Sequence, residues 1–313
     1  MRLDLGTTPW NWQSSMHGQG LCEQAERAES MGFDAFWLPE NHFGDARTIP
    51  APLLSLAAVA ARTSRLRLGC TSYLLPIRHP LQAAEEVAVL DQLSGGRVIL
   101  GVGRGIQAAM FSAFGVVAAD KRKLFARNLD IMRRAWRGEP VVEDEHGRGL
   151  QLSPLPVQQP SPPVWVAAFG PLALKQAAGL GMPYLASPVE SIEVLENNYC
   201  RYHAEVAACG LPAVSEIPVM RTVFVTPDTH QASRVREALA HSVPATMRDK
   251  SAAVDDWAIV GDELYLRDRL QEYVARLGVT QLILRAGIPG VSEADQLASH
   301  ARVRSVCGTS ATG

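Results

Sequence analysis

The order of apolar runs along this sequence predicts an α/β protein, a (β/α)8 TIM barrel with insertions after its fourth and seventh strands. Three observations carry the prediction. Runs of strand length alternate with longer stretches of helical period, and eight such steps follow one another. A helix in every connection requires parallel strands with right-handed crossovers, because antiparallel strands would not need one. A length of 313 residues suits one such barrel, so residues 1–313 read as a single domain. An open, doubly wound sheet is the structural alternative.

Taken in order, residues 3–5 supply the first apolar run and 21–31 the first long helical stretch. Residues 33–38 read as a buried strand after the stop at Gly32. Residues 51–62 are helical, with Leu53, Leu54, Leu56, Ala57 and Ala60 as the apolar stripe. A strand over 66–74 precedes a helix over 80–93. The short strand 97–102 then leads toward a helix over 120–136. Further strands are expected at 164–168, 183–186, 217–225 and 281–285, each with a helix after it. Two segments break the rhythm. Residues 138–163 are charged and then proline-rich, too long for an ordinary connection, and read as either a hairpin insertion or a mobile cover. Residues 244–260 form the second irregular stretch.

Bulk properties exclude several functions. A formal net charge of −2 with scattered basic residues gives no electrostatic case for nucleic acid or anionic membrane. The five cysteines are an odd number without metal-type spacing, which points to reduced thiols and a cytoplasmic location. No apolar stretch approaches the ~20 residues of a membrane span. The sequence has no G-x-S-x-G, H-E-x-x-H, P-loop or C-x-x-C pattern, so neither a hydrolase nor a metal enzyme is expected.

In a barrel of this kind the chemistry belongs to the loops after each strand. Glu40-Asn41-His42-Phe43 brings a carboxylate, an amide and an imidazole to one strand exit. It suits a polar heterocycle, or equally a solvated loop whose Glu40 pairs with an arginine. Thr71 and Ser72 are small residues at the next exit, where a flat ring could approach the backbone. His79-Pro80 reads as an architectural helix start. Gly101-Val102-Gly103-Arg104-Gly105 can wrap an anion, with Arg104 as a permanently charged, bidentate donor. Its G-x-G-x-G spacing and late position argue against a dinucleotide fold. Phe169-Gly170-Pro171 opens a helix whose free N–H groups form an anion site, or a plain turn.

These residues resemble the luciferase-like flavin monooxygenase superfamily over most of the chain. The likeness rests on a combination: A-x-T-x-R-x-x-L-G ending at Gly69, L-P-x-R-H-P at 75–80, L-D-x-L-S-x-G-R at 90–97, and G-V-G-R-G at 101–105. The resemblance implies that Arg104, with Gly103, and Arg122 grip the phosphate of FMN and that Phe169 and Gly170 complete that site. It places Thr71 and Ser72, joined by a non-proline cis peptide, against the isoalloxazine, and Glu40 near the ring. It also implies catalytic work for Asn41, His42 and Glu40. Here the sequence departs from the pattern, since Asn41 stands where the family carries a histidine. An amide cannot trade protons near neutral pH as imidazole does, so light emission is not expected.

The activity implied is monooxygenation of a small or carrier-bound substrate through a flavin hydroperoxide. Reduced FMN would come from a separate flavin reductase, and the protein would be a homodimer. Trp10, Trp12, Met16, Tyr73, Met110 and Phe111 are candidates for a dry substrate chamber. Deazaflavin-dependent hydride transfer and flavin binding without turnover are the alternatives.

Overall fold

The computed structural model describes residues 3–15, 17–44, 48–242 and 253–308. Met16 and residues 243–252, of which 244–252 belong to the second irregular stretch, therefore lie outside the described residues. The strands are β1 (Asp4–Thr7), β2 (Ala35–Leu38), β3 (Arg67–Leu74), β4 (Val98–Gly103), β5 (Val142–Glu143), β6 (Gly149–Leu150), β7 (Val164–Ala167), β8 (Tyr184–Leu185), β9 (Pro218–Val225), β10 (Ala258–Gly261) and β11 (Gln281–Leu284). Nine of them form one parallel sheet in the order β10-β9-β11-β1-β2-β3-β4-β7-β8. Both faces of this sheet are covered, which is why its strands read as continuous apolar runs.

Two apolar layers separate the faces. The larger cluster mixes strand and helix side chains, for example Leu68, Leu100 and Leu282 with Val87 and Leu129. A second cluster comes from strands alone: Ala35, Trp37, Ile99, Trp165, Leu185, Met220 and Ile283. It contains no helical residue, so it fills the inside of the curled sheet. Trp37 and Trp165 stack there with centroids 4.8 Å apart and planes 23° apart. Such a pair adds about 0.5–1.5 kcal/mol beyond its buried area. Gly69 makes room for it, because a Cβ at that position would stand 2.1 Å from the Trp37 ring.

The sheet curls until its far strands meet, but the joint is made by side chains. Among the described residues no backbone ladder links β8 to β9. Instead the Tyr199 hydroxyl lies 3.1 Å from Tyr184 O on β8 and 3.0 Å from Pro218 O on β9. The fully buried Arg221 on β9 donates to Glu190 O at 2.9 Å, beyond the end of β8, and to the Tyr273 hydroxyl at 2.7 Å. The described residues thus form a curled parallel sheet of nine strands with a side-chain seam between β8 and β9. The strand beyond the eight expected is β10, which begins within the stretch 244–260 read as irregular. Its four-residue run AIVG becomes a strand by pairing with Thr222–Val225 of the long β9.

Helices start where the sequence says they should. Pro52, Pro80 and Pro171 each occupy the first turn. Ser191 and Asp262 cap their helices by accepting from Val194 N and Tyr265 N. The segment 138–163 is a hairpin, β5 against β6, followed by proline-rich chain. Gln158 donates to Asp91 and to Val98 O at the start of β4. That anchors the segment at the N-terminal end of the strands, the end opposite the loops expected to carry chemistry, so it is no cover over them.

Candidate functional site

The C-terminal exits of β3 and β4 lie side by side. The Thr71–Ser72 peptide is cis, and the pairing of β3 with β4 shifts register across it. Gly103 faces it so closely that a Cβ there would stand 2.1 Å from Ser72 Oγ and 3.0 Å from Ser72 Cβ. Thr71 and Ser72 are half-buried, leaving a shallow floor at the sheet's mouth.

Arg104 follows directly and is half-buried. Its Nη1 reaches Gln176 Oε1 at 3.5 Å, a weak contact, and the Gln176 amide donates to Arg122 O at 3.4 Å. Gln176 belongs to the helix Pro171–Gly179, so three distant segments converge on one place: the β4 exit, the start of the helix Lys121–Trp136, and the helix that begins at Gly170. Burial lowers the Arg104 pKa and the nearby Arg122 charge lowers it further. The two guanidinium groups feel each other's charge, and among the described residues neither has an ion-pair partner. Phe169 is exposed, and Gly170, at the helix N-cap, has no side-chain cap and open space around it. Cations and uncapped helix starts are the kinds of group that attract anions.

The β2 exit is arranged oppositely. The Glu40 side chain is fully buried, and its Oε1 accepts from Arg78 Nη1 and faces His42 Nε2, both at 2.7 Å. Its Oε2 accepts from Leu74 N at 3.0 Å. Arg78 lies over the Tyr73 ring, 3.8 Å from its centroid, and the Tyr73 hydroxyl donates to Glu86 at 2.8 Å. Burial opposes the Arg78 charge, but Tyr73 and Glu40 outweigh it and raise its pKa. Asn128 donates to Leu75 O and Arg78 O, tying this cluster to the helix that carries Arg122. Asn41 stands apart and exposed, its Oδ1 accepting from Ile49 N at 2.6 Å. The expected trio is therefore divided: Glu40 and His42 are joined, while Asn41 staples its own loop. The alternative of an arginine partner for Glu40 holds, in a buried rather than a solvated setting.

The candidate chamber residues also disperse. Met110 and Phe111 pack with Leu74 in a small cluster beside the β4 exit. Tyr73 faces the Arg78 side, and Trp10 is buried with its indole N–H on Glu293. Trp12 lies against Gly287, beyond β11. Sequence reading missed Gln176, for which no local signal exists. Arg78 stood inside the L-P-x-R-H-P block without a role.

The fold is that of a parallel α/β protein whose strand ends gather two arginines and the start of a helix. The model for the luciferase-like monooxygenase family matches residues 5–281, and the chain belongs to that family. It is 32% identical over 170 residues to the alkanal monooxygenase alpha chain of the Kryptophanaron alfredi symbiont, a match covering 53% of this chain and 48% of that one. The chain spans about half the length of the curated relatives it matches, 45% and 47% for the first two. Among solved structures, the FMN complex of the oxygenating constituent of 3,6-diketocamphane monooxygenase from Pseudomonas putida superposes with TM-score 0.83 at 20% identity, covering 99% of both chains. An F420-dependent secondary alcohol dehydrogenase superposes with TM-score 0.77 at 18% identity over 98% of both. At such identities the likeness is one of fold. No described helix is long and apolar enough to cross a membrane.

Proposed function

We propose that the protein is an FMN-dependent monooxygenase, with its sheet read as the wall of an eight-stranded barrel over residues 1–313. The observation that carries this is the pair Arg104 and Arg122, without an ion-pair partner among the described residues and linked to the helix Pro171–Gly179 through Gln176. A half-buried cation left unmatched is stabilised by a ligand of opposite charge, and a phosphate is one. The floor beside it also fits FMN, since the bare Gly103 leaves space that a Cβ would close.

Reduced FMN, when bound, supplies the electrons that activate O2. Arg104 and Arg122 hold its phosphate, with Phe169 and Gly170 closing the far side. Thr71 and Ser72 support the ring. Glu40 acts as a positioning residue: it receives the Leu74 N–H of the strand that carries Thr71 and Ser72, and His42 and Arg78 hold it there. Asn41 fixes the neighbouring loop. The monooxygenase relatives, one of them the oxygenating constituent of a larger enzyme, support a separate flavin reductase as the source of reduced FMN.

A homodimer fits the same structure. A groove of about 840 Å³ runs between the helices Pro52–Ala60 and Pro80–Ser94. Leu54, Val89 and Leu93 lie exposed along it, with Phe43 and Phe114 at its rim. Apolar side chains grouped in this way mark a protein interface.

Anaerobic titration tests the cofactor. Reduced FMN is expected to bind at micromolar levels and F420 not to bind; tight F420 binding would favour hydride transfer, the reading that the dehydrogenase fold leaves as the second choice. Reduced FMN that binds but yields only hydrogen peroxide with every substrate tried would mark a flavin carrier instead.

A further inference from the structure

A third arginine at the mouth has no assigned work. Along β11, Leu282 and Leu284 lie in the outer layer and Ala286 rejoins it, whereas Ile283 lies inside with Trp37 and Trp165. The backbone stays extended through the next residue, because Arg285 N donates to Arg221 O at 2.8 Å and continues the pairing of Leu284 with Arg221. Alternation therefore points Arg285 inward, about 7 Å above Ile283 toward the C-terminal rim.

The backbone beyond it is pinned. Ala286 N donates to Thr8 Oγ1 at 2.9 Å, and Gly287 N and Ile288 N both donate to Gln296 Oε1. The Arg285 guanidinium, by contrast, makes no hydrogen bond or ion pair among the described residues. Burial alone lowers its pKa, and no neighbouring charge acts on it. Its side chain is exposed at the C-terminal end of β11, at the mouth of the curled sheet. Arg97 and Arg78, by contrast, are matched: Arg97 donates to backbone carbonyls of Leu66, Ala60 and Thr63 at 2.9–3.0 Å, and Arg78 to Glu40.

Arg285 also stands across the mouth from Arg104, which turns toward Gln176 on the helix Pro171–Gly179. β11 and β4 are four strands apart in the sheet order. At ordinary strand spacing that is ~19 Å round the curve. A phosphate held at Arg104 leaves Arg285 for a second anion.

We propose that Arg285 binds the acid group of the substrate, and that the substrate is accordingly an organic carboxylate or sulfonate. The paired oxygens of either group match the fork of a guanidinium. Trp12, against Gly287, offers an aromatic wall for the apolar body of such an acid. The assignment rests on the flavin reading for the occupant of the remaining mouth, while the anion preference can be measured alone.

The test uses the full chain and matched probes: benzoate against benzamide, octanoate against octanamide, and octane-1-sulfonate against octan-1-ol. Binding is followed by calorimetry with and without FMN, in wild type and in Arg285→Gln. In wild type at least one acid is expected to bind roughly tenfold or more tightly than its neutral partner. In Arg285→Gln the preference should fall to parity, with neutral binding, FMN affinity and melting temperature unchanged. The inference is wrong if no acid is preferred by the wild type, or if the preference survives the substitution. It is equally wrong if Arg285→Gln weakens reduced FMN and leaves acid binding alone, since the charge would then serve the flavin. A wild type that binds no FMN but prefers acids would overturn the flavin proposal and leave this one standing.

Discussion

Arg78 and Arg104 follow neighbouring strands, β3 and β4, and stand in opposite electrical states. Arg78 is answered within the chain by a buried carboxylate, an aromatic face and a carbonyl. Arg104 has a weak amide contact and a second cation for company. One arginine is matched within the chain and the other is left open, and the phosphate assignment proposed for Arg104 rests on that difference. Satisfied charge of this kind fixes structure, whereas unsatisfied charge at a mouth recruits ligand.

That contrast can be broken by substitution, and the largest effect is expected on the satisfied side. Glu40→Gln leaves the Arg78 charge without its counter-ion, and should cost about 3–5 kcal/mol of stability. Urea unfolding would show it as a lowered midpoint, and an unchanged midpoint would mean that the pair is not structural. Arg104→Ala should act the other way, weakening FMN by roughly 2–5 kcal/mol while the unfolding midpoint holds. Fluorescence titration decides this, and equal FMN affinity in the variant would remove the phosphate assignment.

Gly103→Ala sharpens the comparison at the floor between the two. Its new Cβ would overlap Ser72, so a loss of about 1–3 kcal/mol in stability is expected, with weaker FMN beside it. If FMN binding survives that variant at full strength, the ring does not lie over Gly103. Asn41→Ala is the smallest change. Losing the acceptor for Ile49 N should cost about 1 kcal/mol and leave FMN affinity alone. A large drop in turnover at normal stability would instead return Asn41 to the chemistry.

Much of this was legible in the residue order, and the failures have physical causes. The buried runs of β3, β4 and β9 stand out because both sheet faces are covered, so period and length agree. β10 was lost because four apolar residues have no distinct period; its partner β9, more than thirty residues earlier, makes it a strand. The charged and proline-rich composition of 138–163 fits a cover or a hairpin equally. The bonds of Gln158 to Asp91 and Val98 put it at the strand starts. At the candidate site, Arg104, Gly103 and Gly170 are singled out by their motifs. Gln176, which links Arg104 to Arg122, has no motif, because its place comes from where a helix docks.

Residue order alone sets the alternation of parallel strands and helices, the helix starts at Pro80 and Pro171, and the types of group at each strand exit, since these follow from local period and local backbone chemistry. Which of those groups are answered is settled in three dimensions. Glu40 meets Arg78 across 38 residues, and Arg104 meets Gln176 across 72. Charge compensation acts through space over a few ångströms, and distance along the chain carries no record of it.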